Sequence, residues 1–126
     1  MSTLPNYKEM RFYQAALELA YLTHEEIKAF PEHERFGLVD QMNRSSLSVV
    51  SNIAEGSGRD TVRQLFQFLS TANGSLCELD TQYDLARLKG YLELTTFKKA
   101  KELITETSKT MWGYRKWLET KGTKHP

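Results

Sequence analysis

Between Leu65 and Ala86, the apolar residues Leu65, Leu69, Ala72, Leu76, Leu79, Tyr83 and Ala86 recur in alternating steps of four and three. That is a heptad seam held over three repeats, and burying it requires a long helix laid against other helices. A strand would send successive side chains to opposite faces. The same steps return at Phe97, Ala100, Ile104, Thr107, Met111, Tyr114 and Leu118, and again at Met10, Tyr13, Leu17, Ala20, His24 and Ile27. No stretch shows strand-like alternation, so the spacing predicts an all-α chain.

Punctuation residues set the helix limits. Asn6 with Glu9 and Thr61 with Gln64 have capping-box spacing, so they open the first and third helices. Phe30-Pro31 ends the first, because the residue before proline leaves helical geometry. Gly56 and Gly58 are expected to close the second helix in the left-handed conformation, and Lys89-Gly90 to close the third. The predicted helices are about 6–30, 38–57, 61–89 and 95–119, with 120–126 a frayed tail. Short links between long helices imply one domain over 1–126, an antiparallel up-down-up-down four-helix bundle. Phe66, Phe68, Leu85, Leu88, Trp112 and Trp117 fall off the seams and are candidates for an interface between copies.

The second helix, from Leu38 to Ser57, is unusual. Leu38, Met42, Val49 and Ile53 mark an apolar face, but Ser45, Ser46, Ser48, Ser51 and Ala54 crowd beside them. Serine competes for backbone hydrogen bonds, so this helix depends on close packing against a neighbour. Gln41, Arg44, Asn52, Glu55, Arg59 and, on the third helix, Glu78 are expected to form a structural polar network. Within it Arg44 is internal and pairs with Glu78. The competing reading makes these residues a small-ligand or partner site.

Catalytic chemistry finds little support. There is no Glu-x-x-His pair to build a carboxylate metal site in a bundle. His24 is expected to be a satisfied, partly buried residue on the seam, and His33 to be solvated. No histidine is spaced to activate the serines of the second helix. The single Cys77 excludes an internal disulfide and a cysteine-based zinc site, and fits a reducing cytoplasm. No catalytic, cofactor-binding or metal-ligating residue is predicted. No run of 18 apolar residues occurs, so no membrane span is expected, and MSTLPNYKEM lacks the regions of a secretory signal.

The net charge of +1 favours no partner, but its distribution is uneven. Residues 1–108 carry 12 basic and 15 acidic side chains, whereas 109–126 carry Lys109, Arg115, Lys116, Lys121 and Lys124 against Glu119 alone. Cations near a helix C-terminus complement its dipole. Gathered in several copies they would also meet a polyanion.

The block Asn52-Ile53-Ala54-Glu55-Gly56-Ser57-Gly58-Arg59, with Asp40-Gln41 and Arg44 before it and Gly74-Ser75, Glu78 and Leu79 after it, resembles the proteins encoded within 23S rRNA intervening sequences. Phe30-Pro31 and Glu34-Arg35-Phe36-Gly37 extend the likeness upstream, so that it covers all but the tail after about Leu118. The resemblance implies four-helix protomers assembled into a ring-like homopentamer. It also implies kinship to an accessory protein of diversity-generating retroelements that binds nucleic acid with a reverse transcriptase. The expectation is therefore a non-catalytic, homo-oligomeric accessory protein that holds RNA or DNA backbone through pooled positive charge at Lys109, Arg115, Lys116, Lys121 and Lys124. The alternative is a self-assembling scaffold that binds a protein partner and no nucleic acid.

Overall fold

The heptad seam of residues 65–86 is buried along its whole length. A computed structural model of the chain describes residues 6–124, with side chains described as far as 121. Its helices are α1 (Arg11–Glu26), α2 (Leu38–Ser57), α3 (Val62–Leu88) and α4 (Leu94–Lys124), and no strand occurs among the described residues. α1 packs on α2 and α4, and α3 packs on the same two helices, so the core lies within a helical bundle. All seven seam residues of α3 are buried there, with Ala100, Ile104, Thr107, Met111 and Leu118 of α4 and Leu38, Met42, Val49 and Ile53 of α2.

Contacts between helices pin their register. Gly56 near the end of α2 meets Leu65 and Phe68 near the start of α3, while Ser48 earlier in α2 bonds Ser75 later in α3 at 2.7 Å. Arg11 holds Glu106 through two bonds of 2.6 Å, joining α1 to α4. Inside, the Tyr83 hydroxyl donates to Thr23 at 2.6 Å, because the Thr23 hydroxyl is itself committed to the Leu19 carbonyl. Burial pushes the Tyr83 phenol up to about 12, so it stays a neutral donor.

Several expectations need correction. The first helix is not continuous from residue 6. Asn6 accepts from the Lys8 amide and opens only the 3-10 turn Tyr7–Glu9, then Met10 is extended and α1 begins at Arg11. Its buried face is Phe12, Ala15, Ala16, Leu19, Ala20 and Thr23, which leaves Leu17 49% exposed. Gly58 has φ −91°, outside the left-handed region, whereas Gly90 does turn the chain at a positive φ of 80°. Gly56 is needed for another reason: a Cβ there would stand 2.6 Å from Phe68 Cβ, closer than two carbons can approach. The segment expected to fray from residue 120 continues α4 to Lys124.

Candidate functional site

The predicted polar network on α2 is not assembled. Arg44 faces solvent and pairs with Asp40 one turn back at 3.1 Å, not with Glu78, because a long side chain on an outward face finds water and its own helix first. Glu78 and Gln41 are exposed. Glu55 holds Arg59 at 2.7 Å, again one turn apart, and Arg59 lies over the Phe68 ring at 4.8 Å. Asn52 donates to the Ser48 carbonyl at 2.8 Å and to its hydroxyl at 3.1 Å. These are helix-surface contacts, and Asp40 takes the place beside Arg44 that was expected for Glu78.

The long-range polar cluster lies elsewhere. Glu34, in the 3-10 turn Glu32–Glu34 before α2, is buried and accepts from Lys89 Nζ and from the Tyr91 hydroxyl, each at 2.7 Å. The Leu38 amide reaches its other oxygen at 3.4 Å, and His33 stands 3.9 Å away. The Lys89 and Tyr91 bonds hold the Glu34 carboxyl down to about 2, and Lys89 and Tyr91 are pushed up in turn. Glu34, Lys89 and Tyr91 engage one another, so the cluster clamps the α1–α2 and α3–α4 links together. No sequence pattern could have paired Glu34 with Lys89.

The basic set predicted on α4 divides. Lys109 and Lys116 are exposed and have no carboxylate partner among the described residues. Lys121 lies 4.7 Å above the Trp117 ring, and the side chain of Lys124 falls outside the described residues. Arg115 turns toward α3, where it donates to Ser70 at 3.2 Å and covers the Phe66 ring at 4.6 Å, with Trp112 at 5.6 Å. Glu119 stands 3.5 Å from its Nε, which is shielded from water and has no hydrogen-bond partner. By contrast Arg11, Lys28, Arg35, Arg44, Arg59, Lys89, Lys99 and Lys101 each hold a carboxylate.

On the α1–α2 side of the bundle, Gln14, Leu17, Glu18, Ala20, Tyr21, His24 and Leu47 line a mainly apolar depression. Tyr21 is 70% exposed, and His24 is not satisfied as expected: its Nε2 is buried there without a partner. Of the off-seam residues, Leu85, Leu88, Trp112 and Trp117 are exposed, while Phe66 and Phe68 are half-buried under arginines. The described residues contain no group of three or more His, Cys, Asp or Glu placed to hold a metal. No described helix is long and apolar enough to cross a membrane.

No curated protein matches this chain. A crystal structure of a protein of unknown function from the S23 ribosomal protein family of Bacteroides thetaiotaomicron is similar, with a TM-score of 0.76 and 21% identity. The match covers 83% of this chain and 98% of that one, and at this identity it shows the fold. A family model matches residues 8–113, nearly the whole bundle, and the chain belongs to the 23S rRNA-intervening sequence protein family.

Proposed function

We propose that this protein is a non-catalytic accessory protein of the cytoplasm whose copies assemble into a ring and together hold nucleic-acid backbone. In this reading the helices run up-down-up-down, so that the end of α4 lies beside the starts of α1 and α3. The Gly56–Phe68, Ser48–Ser75 and Arg115–Ser70 pairings support that arrangement. The ring is a homopentamer, as the resemblance of the sequence implies. Exposure of Leu17, Tyr21 and Leu47 together favours assembly through the α1–α2 side, since a monomer gains nothing from a wet apolar patch.

The observation that carries the nucleic-acid reading is where unpaired cations remain. Most basic side chains of residues 1–108 are engaged by carboxylates, Lys8, Arg63, Arg87 and Lys98 excepted, whereas Lys109, Lys116 and Lys121 all lack a carboxylate partner among the described residues. Repeated around a ring, these charges release counterions from phosphates although each protomer is almost neutral.

Replacing Lys109, Lys116, Lys121 and Lys124 by glutamine should abolish binding of a labelled duplex in anisotropy at low salt and leave the assembled mass in light scattering unchanged. Retained binding removes the charge reading. Leu17→Glu with Leu47→Glu should reduce the assembled mass to the 14.6 kDa protomer. A wild-type protomer mass removes the ring.

A further inference from the structure

Beyond the lysines, the α3–α4 groove holds a second kind of site. Leu69, Ser70, Asn73, Met111, Trp112 and Arg115 line a depression of about 160 Å³. Pockets for drug-sized ligands usually span about 300–1,000 Å³. This one admits a single ring system. Its walls combine an apolar floor, an indole that is 52% exposed, and the plane of a guanidinium. Ser70 and Asn73 place a hydroxyl and a primary amide at its edge, and Asn73 makes no hydrogen bond to another described residue.

Arg115 is also the wall of an adjoining depression, which Val62, Arg63, Phe66, Gln67 and Ser70 complete. Arg63 is exposed and has no carboxylate partner among the described residues. Among the described residues no acidic side chain lines either depression, and the carboxylate paired with Arg115 is Glu119. One compartment therefore suits a planar ring with hydrogen-bonding edges, and its neighbour suits an anion.

We propose that this pair of depressions is a subsite for one unpaired nucleotide, its base against Trp112 and the Arg115 plane and its phosphate toward Arg63. Bases splayed from a single strand stack on aromatic rings and on arginine planes. A base within a duplex keeps its faces covered and cannot enter so small a recess. The inference rests on the nucleic-acid reading above and adds to it a preference for single strands, which lysines on phosphates alone do not confer.

The chain has two tryptophans, so Trp117→Phe leaves Trp112 as the sole indole reporter and keeps an aromatic ring beneath Lys121. A short single-stranded oligoadenylate should quench that emission saturably, and a blunt duplex bound in anisotropy should not. Trp112→Ala should weaken the single strand about ten-fold, the scale of one lost base stack, and leave the duplex unchanged. Trp112→Phe should restore most of the loss. Equal quenching by duplex, or equal weakening of both ligands by Trp112→Ala, overturns the subsite. Duplex binding without any quenching by the single strand overturns the subsite alone. Failure of both nucleic acids to bind overturns it together with the function it rests on.

Discussion

Glu34 and Glu55 both hold a cation at 2.7 Å, yet they do different things for the fold. Glu34 is buried, and its partners, Lys89 and Tyr91, arrive from the far side of the chain. Glu55 is half-exposed and its partner, Arg59, is one turn along the same helix. A local pair can form in an isolated helix and is screened by water, so it says little about which helices meet. A buried carboxylate satisfied by distant donors penalises every arrangement that separates them. The polar residues that look most deliberate in the sequence are of the first kind, and the clamp that ties the links together is of the second.

The comparison breaks if the clamp is dispensable. Glu34→Gln should lower the melting temperature more than Gly56→Ala, Glu55→Gln or Glu78→Gln, since it leaves Lys89 and Tyr91 without their acceptor. Acid sharpens the same point. The folded Glu34 carboxyl lies near 2, below the roughly 4.3 of an unfolded glutamate. Its contribution is therefore complete above that unfolded value and is lost as the pH falls through about 2. Between those limits wild-type stability should fall more steeply than that of Glu34→Gln, by thermal melts across the acid range.

Close packing on α2 should matter more than its surface charge. Gly56→Ala forces a methyl against Phe68 and should cost about 1–3 kcal/mol by denaturant unfolding. Glu55→Gln removes one helix-surface pair and should cost only about 0.2–0.5 kcal/mol. Smallest of all, Glu78→Gln should leave unfolding unchanged within error, because Glu78 is exposed and has no described partner. A large effect at Glu78 would restore the network that the structure dissolves.

Legibility in the sequence followed how far large apolar residues mark the buried seam of a helix. α3 and α4 each carry one long run of mainly large apolar residues in steps of three and four, and the residues named as their seams are buried, with Phe97 and Tyr114 half-buried, although Leu85, Leu88, Trp112 and Trp117 stay exposed outside them. In α1 the buried face relies on the small residues Ala15, Ala16, Ala20 and Thr23 beside Phe12 and Leu19, while the large Leu17 and Tyr21 are exposed, so the large apolar residues do not mark one face. For the candidate site, the basic bias of α4 was visible as composition. The turning of Arg115 into a groove with Ser70, Phe66 and Trp112 was not, because its contacts with Ser70 and Phe66 depend on how α3 meets α4.

The sequence by itself determined that the chain is helical, where α2 and α3 lie to within a residue or two, and which faces of α3 and α4 are buried. Period, capping residues and glycines are local properties, and local geometry reads them directly. Only the tertiary structure decided that Glu34 meets Lys89, that Thr23 meets Tyr83, and that Gly56 must be glycine because Phe68 presses on it. Those facts depend on distances between residues far apart in the chain, and such distances exist only once the helices have packed.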